Sequence, residues 1–454
     1  MDSDDLAYQR SNVNFAVWLQ RLLRNSPEAL AVQLAARHCP GRPVTASRLA
    51  NGAFNVCFRV NFENGDQAIV RFTAFGRIIA RNEKTEDEVA TMEFVGQHTT
   101  IPVPKVFGYG KSVPGPYIVM SYVEGHILSG YLKDPTHEGG NTLRPNISLQ
   151  ALCKAYHAMA DVMLELSKVE FPFIGAIGKH ESGNWTVSKG PLTLNMNRIA
   201  QFSNVPHKVF QRQRFSNAAD YFEELANHHL HHLEYQRNDA VVDALDCQKK
   251  YIARCLFRKV SREISSEHCN GPFRLYCDDL NPGNVLIDPS KITVAGVIDW
   301  EFSYAAPAEF TYAAPWWLLL ERPESWEDDL NEFMERYLPR FHTFLDVLRD
   351  CETEKIKSGS LTESQRLSIT MEQSLDNGLF WICLASRHSA MFDEIYWNIV
   401  DPKFFGPLTS IEDRMVLLST EERANMDTFV EKKLVQKQQA TLDVHNSAKE
   451  LFDL

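Results

Sequence analysis

The chain has 454 residues, of which 44% are hydrophobic and 23% charged, an ordinary composition for a globular protein long enough to bury a large core in about two to four domains. Its net charge of −12 at pH 7 argues against a nucleic-acid or anionic-membrane partner, and no run of about eighteen apolar residues is present to span a bilayer. Nine scattered cysteines, odd in number and without a C-x-x-C pair, fit reduced thiols better than a disulfide frame or a zinc site. With an acidic start that lacks an apolar signal core, they predict a cytoplasmic protein.

Residues 11 to 38 read as two helices, the second opened by Ser26-Pro27-Glu28: a capping hydroxyl, a proline at the first helical position and an acid facing the dipole. From Thr45 the period changes. Thr45 to Leu49 reads as a strand, followed by the turn Asn51-Gly52-Ala53-Phe54-Asn55. Val56, Phe58, Val60 and Phe62 then alternate with polar neighbours, which predicts a strand with one buried face. Asn64-Gly65 is a hairpin signal, and residues 67–72 are the returning strand, with Arg71 near its end. Residues 83 to 97 read as a helix that offers Glu83, Glu86, Asp87 and Glu88 as partners for Arg71, although solvated surface charge is the alternative. Ile101–Val106 and Pro116–Val123 read as two more strands. Residues 126–147 and 171–190 carry loop chemistry, with a helix from Ser148 between them. Two helices are expected within 215–266. The run His228-His229-Leu230-His231-His232 there lacks an acid or cysteine at metal-site spacing, and is expected to be a polar helix face. Residues 325–350 and 371–398 and the C-terminal stretch around Met426–Val435 read as helical.

The chemistry-bearing stretch runs from Leu275 to Ile287. An apolar run leads into Asp278-Asp279-Leu280-Asn281-Pro282-Gly283-Asn284, and a strand-like run at 294–298 ends on Asp299-Trp300-Glu301. Such a turn has an ordinary structural use, because Asn, Pro, Gly and Asp all favour turns. An Asp, an Asn five residues on and a second Asp after a strand also suit phosphoryl transfer. One carboxylate takes the proton of a hydroxyl, while the amide and the other carboxylate hold magnesium on a nucleotide triphosphate.

The D-x-x-P-G-N loop from Asp279 and the I-D-W-E signature resemble the aminoglycoside phosphotransferase family, nearest to its fungal phosphotransferase-family branch. The resemblance implies a two-lobed, protein-kinase-like α+β fold with a small antiparallel β lobe and a larger, mainly helical lobe. It divides the chain into an N-terminal helical extension (1–44), a nucleotide-binding small lobe (45–125), a large lobe with the catalytic and metal loops (126–410), and a C-terminal helix and tail (411–454). It implies transfer of the γ-phosphate of ATP to a small-molecule hydroxyl. Asp279 would be the base and Asn284 and Asp299 the magnesium ligands. Gly52, Ala53 and Phe54 would lie over the phosphates, Arg71 would pair with Glu88, and the backbone of Ser121 and Val123 would meet adenine. The chain departs from the pattern at Arg71, where a lysine is usual, and at Cys277, where a histidine is usual. A catalytically silent nucleotide-binding protein or scaffold is therefore the alternative expectation. The short segment between Asp299 and Pro307 lacks the A-P-E sequence of protein kinases.

Overall fold

The computed structural model describes residues 3–136, 141–265, 268–326, 330–445 and 450. Two helices, α1 (Asp5–Arg24) and α2 (Pro27–His38), lead into β1 (Pro43–Asn51), β2 (Asn55–Phe62), β3 (Gln67–Thr73), α3 (Arg81–His98), β4 (Val106–Ser112) and β5 (Gly115–Ser121). The strands form one antiparallel sheet in the order β1-β2-β3-β5-β4. The period of two sorts its side chains. Val56, Phe58, Val60, Val70 and Phe72 pack under Trp18, Leu22 and Leu34 of the N-terminal helices. Ile69, Ile118 and Met120 pack on the other face, against Val89, Met92 and Val95 of α3. Arg71, between Val70 and Phe72, therefore faces α3.

Each fully buried Val or Phe is worth about 1.5–3 kcal/mol relative to exposure, so α1 and α2 form a structural layer of this lobe. They pack outside the sheet, as expected, and α1 also reaches the larger lobe. The Asp4 carboxylate caps Leu6 and Ala7 (both 3.1 Å) and accepts from the Asn238 backbone N–H (2.8 Å). Arg10 donates to Asn204 (2.6 Å). The expected cap at Ser26 is not made. Only Asn25 and Ser26 separate the two helices, and the reversal takes Ser26 to φ 48° with its hydroxyl unused as a cap.

The larger lobe continues through β6 (His126–Ile127), α4 (Leu128–Leu132), α5 (Leu149–Ser167), β7 (Glu170–Phe171), β8 (Ala176–Lys179), β9 (Trp185–Lys189), α6 (Leu194–Phe202), α7 (Ala218–Tyr235) and α8 (Ala244–Glu263). Then come β10 (Phe273–Cys277), β11 (Val285–Asp288), β12 (Thr293–Val297), β13 (Ser303–Ala306), α9 (Ala308–Tyr312) and α10 (Leu330–Lys357). The last elements are α11 (Ser368–Asp376), α12 (Leu379–Arg387), α13 (Phe392–Ile395), α14 (Asp401–Phe405), α15 (Ile411–Met415) and α16 (Thr420–Gln439). The architecture is the expected mixed one: a small antiparallel β lobe beside a larger, mainly helical lobe.

Several local expectations are corrected. The strand expected at Ile101–Val106 begins only at Val106, because Pro102 and Pro104 have no N–H to give a ladder. The strand expected at Pro116–Val123 stops at Ser121. The stretches read as loops carry β6, which pairs with β11, and the β8–β9 hairpin, elements too short to show a period. Residues 137–140 of the first, and 446–449 and 451–454 of the expected tail, lie outside the described residues. The histidine run is not a polar face. His228, His229 and His232 are buried, because α7 packs between α8 and α12. No helix among the described residues is long and apolar enough to cross a membrane.

Candidate active site

Strand pairing brings two loops together. The first, 278–284, leaves β10 and enters β11; the second, 298–302, leaves β12 and enters β13. Cys277 pairs with Ser303 and Val285 with Val297, so the loops emerge side by side. The Ile298 N–H donates to the Asn284 carbonyl (2.9 Å) and links them directly.

In the first loop, Asn281 accepts from the Gly283 N–H (2.7 Å) and donates to the Asp279 carbonyl (2.8 Å). Asn284 donates through Nδ2 to the same carbonyl (2.9 Å) and lies 3.4 Å from Asp279 Oδ2. Its amide nitrogen is thus engaged inside the turn, and Oδ1 is the atom left to present. Asp279 itself is 16% exposed, and Arg322 from the cleft rim stands 3.5 Å from its Oδ1. Burial pushes the Asp279 carboxyl up, and Arg322 opposes that shift. Arg322 and Asn281 carried no signal in the sequence beyond turn chemistry.

Asp278 points away from its neighbour. It is buried and accepts from the Leu194 N–H (3.0 Å) and the Tyr304 hydroxyl (3.4 Å), with Arg387 3.7 Å away. It therefore ties α6 to the loop. Cys277, 4% exposed, lies with Sγ 3.9 Å from the carbonyls of Asp299 and Glu301. The thiol bridges the base of the second loop weakly, at the position where the family pattern has histidine.

In the second loop Asp299 has φ 58°, a left-handed conformation that costs a non-glycine residue roughly 1–2 kcal/mol. It is held from both sides by the Ile298–Asn284 bond and by Trp300, fully buried with Nε1 donating to the Val297 carbonyl (2.9 Å). Arg71 reaches it across the lobes, Nη1 to Asp299 Oδ1 at 2.6 Å, and also pairs with Glu88. Of the candidate acids, Glu88 is thus the partner of Arg71. Glu83 and Asp87 pair instead with Lys189 (3.0 and 2.8 Å), Glu83 also with Arg212, and Glu86 is exposed. A residue not singled out in the sequence completes the group. Lys84, one turn before Glu88, donates to Glu88 Oε2 (3.0 Å) and Asn55 Oδ1 (3.0 Å) and pairs with Glu301. Its i,i+4 spacing to Glu88 was the available signal.

The cluster sets two cations against three carboxylates. Withdrawal from water first, then the nearness of Glu301, raises the Asp299 carboxyl to about 7, with Arg71 opposing. The side chain remains 37% exposed, open to the cleft.

The other expected residues lie on the turn between β1 and β2 and at the end of β5. The turn 52–54 joins β1 to β2, and Phe54 meets Phe302 edge-on with centroids 5.7 Å apart. The Gly52 N–H is committed to the Asn55 carbonyl (2.9 Å), and nothing in its surroundings demands a glycine. Ser121 closes β5, its N–H bonded to the Lys105 carbonyl (2.8 Å). Val123 packs so near Gly296 that a Cβ there would lie 2.8 Å from its Cγ1, which seats the connection between lobes on β12. Beside Asn281, an open cleft of about 1070 Å³ is lined by Trp316, Leu320, Arg322, Arg336 and Arg340.

Magnesium prefers oxygen ligands, and Asn284 Oδ1 with the Asp299 carboxylate supplies that donor set in a cluster one positive charge short of balance. Arg71 Nε is buried without a partner among the described residues, and Nη2 has only its ion pair with Glu88.

A stretch of 98 residues is 37% identical to a subtelomeric hrmA-associated cluster protein of Aspergillus fumigatus, covering 20% of this chain and 18% of that one. Clavilactone A biosynthesis cluster protein Y of Ampulloclitocybe clavipes is 25% identical over 250 residues, 52% of this chain and 54% of that protein. Altered inheritance of mitochondria protein 9, mitochondrial, of Debaryomyces hansenii is 22% identical over 295 residues, 56% and 46%. The chain thus spans about half, or less, of the length of these curated relatives. Among solved structures, the GDP complex of wild-type aminoglycoside 2'-phosphotransferase-IIIa aligns at 12% identity over 88% of this chain and 96% of its own, TM-score 0.41. A macrolide 2'-phosphotransferase of Brachybacterium faecium aligns at 13% over 84% and 98%, TM-score 0.37. These structural scores are too low to argue from. Residues 45–349, more than half of the chain, match the phosphotransferase enzyme family, and the chain belongs to that family.

Proposed function

We propose that the protein is an ATP- and magnesium-dependent phosphotransferase acting on a hydroxyl of a small molecule. The observation that supports this reading is that the loop carrying Asp279 and Asn284 is bonded side by side to the loop carrying Asp299, with Arg71 bridging Glu88 to Asp299 from the other lobe. Asp279 orients the acceptor hydroxyl and takes its proton. The hydroxyl oxygen bonds to the γ-phosphorus, the bond from that phosphorus to the departing ADP oxygen breaks, and the proton rests on an Asp279 carboxylate oxygen. Arg322 opposes the upward shift that burial imposes on that carboxyl. Asn284 and Asp299 would hold magnesium, which when bound neutralises charge on the phosphates. Arg71 would turn from Asp299 to the phosphates, and its planar fork offers two parallel donors where a lysine offers a point charge. The turn 52–54 would cover the phosphates and the 121–123 backbone would meet the base. The open cleft beside Asn281 would take the acceptor. Free cysteines support a reducing compartment such as the cytoplasm.

The second reading, a silent nucleotide-binding protein, is favoured by one observation: Arg71 already occupies Asp299. A metabolite-extract screen with labelled ATP separates the two. The proposal expects a magnesium-dependent phosphorylated product that Asp279→Asn fails to make. Nucleotide binding by the wild type without turnover of any acceptor supports the silent reading instead.

A further inference from the structure

Lys84 and Arg71 are both buried cations on Glu88, yet their remaining hydrogen bonds differ. An ammonium has three N–H groups. Those of Lys84 meet three oxygens from three parts of the chain: Asn55 Oδ1 on β2 (3.0 Å), Glu88 Oε2 on α3 (3.0 Å) and Glu301 Oε2 on the second loop. Asn55 closes the ring by donating to Glu301 Oε2 (2.9 Å). The side chains of Lys84 and Glu301 are 1% and 6% exposed. Lys84 is therefore saturated and shut away, with no donor left for a nucleotide. Arg71 has five N–H donors, and its Nε is unpartnered among the described residues. Its contact with Asp299 lies at the edge of the open cleft, where the carboxylate is 37% exposed.

The two cations thus divide the work. When Arg71 leaves Asp299, Glu88 stays compensated by Lys84, and Glu301 stays tied to both α3 and β2. We propose that Lys84 and Glu301 are the positioning pair of this site, fixing the second loop against the small lobe so that Arg71 is free to move from Asp299 to the nucleotide phosphates. The inference rests on the phosphotransferase reading and assigns neither residue to substrate. Glu301 holds the backbone two residues beyond Asp299, and Lys84 holds Glu301.

Calorimetric titration with magnesium-ATP, and with ATP in excess chelator, tests the pair on the purified full chain. Glu301→Gln preserves shape and is the variant expected to fold. It should bind magnesium-ATP about 10- to 100-fold more weakly, the usual loss when a residue that orients a metal ligand is changed, while binding of metal-free ATP stays within about threefold. Lys84→Met should show the same split. Because both act through one contact, the double variant should be no weaker than the poorer single one. Wild-type magnesium-ATP affinity in Glu301→Gln overturns the inference, even if the melting temperature falls, since only a packing role then remains. Losses that multiply in the double variant overturn it too. If Lys84→Met does not fold, the Glu301→Gln titration decides alone. A wild type that binds no magnesium-ATP defeats the functional reading and this inference together. A wild type that binds it, beside an unaffected Glu301→Gln, defeats the inference only.

Discussion

Two groups of buried charge stand in different parts of this molecule and are built to different rules. Behind the helices of the large lobe, Arg414 meets Asp401 one to one, with Nε on Oδ1 and Nη2 on Oδ2, both at 2.9 Å. The Tyr396 hydroxyl lies 3.3 Å from the same carboxylate, and both side chains are out of water. Charge is matched one to one, and Nη2 also donates to the Gly406 carbonyl. At the junction of the lobes, Arg71 and Lys84 face Glu88, Asp299 and Glu301, a surplus of one carboxylate with Arg71 Nε left unpartnered among the described residues. Burial first, and then the nearby Glu301, raise Asp299 to about 7, so near neutral pH a proton would partly occupy the place proposed for a cation. A balanced buried pair leaves no net charge for a partner, whereas the unbalanced one is where the proposed function would seat the metal and nucleotide.

This contrast can be broken at either group. The largest effect belongs to the base: Asp279→Asn should leave nucleotide affinity near wild type and lower the transfer rate by roughly two to four orders of magnitude, measured with an acceptor from the screen. At the balanced pair, Asp401→Ala should strand a buried guanidinium and cost about 3–5 kcal/mol in denaturant unfolding. The protein that still folds should bind magnesium-ATP as before. Cys277→His comes next. The larger ring in a packed position should cost about 1–3 kcal/mol, and magnesium-ATP affinity should stay within a few fold because Asn284 and Asp299 are untouched. The smallest effect is in pH. The raised carboxyl of Asp299 keeps its proton below about 7, and only the ionised form is a good metal ligand. Magnesium-ATP affinity should therefore rise by roughly tenfold between about pH 6 and pH 8, as that single group ionises. A flat profile would show that Asp299 is already ionised at the lower pH.

Legibility followed the range of the interactions. Asp279, Asn284 and Asp299 could be read because each sits at a turn or a strand end whose chemistry is local. Arg71 and Glu88 could be read as a strand-end cation and a helical acid. Lys84, Asn55 and Glu301 could not, because their bonds span up to 246 positions and nothing in a lysine's neighbours announces that it is buried. The histidine run failed for the same reason. Which face of α7 is covered depends on α8 and α12, far along the chain. In the small lobe, alternation along β2 marked one buried face, and the structure adds the covering layer, α1 and α2. The strand misplaced at Ile101–Val106 was an error of local chemistry, since two prolines there already argued against it. The cleft proposed for the acceptor is drawn from residues as far apart as Asn141 and Arg340, and no motif collects them.

The unbalanced cluster as a metal-nucleotide site is tested most directly by melting wild type and Asp299→Ala with and without magnesium-ATP. A ligand that binds only the folded state stabilises it by about 2.7 kcal/mol at a hundredfold excess over its dissociation constant. The account predicts a clear upward shift for wild type that requires magnesium, and none for Asp299→Ala. An equal shift in both proteins, or no shift in wild type, would contradict it.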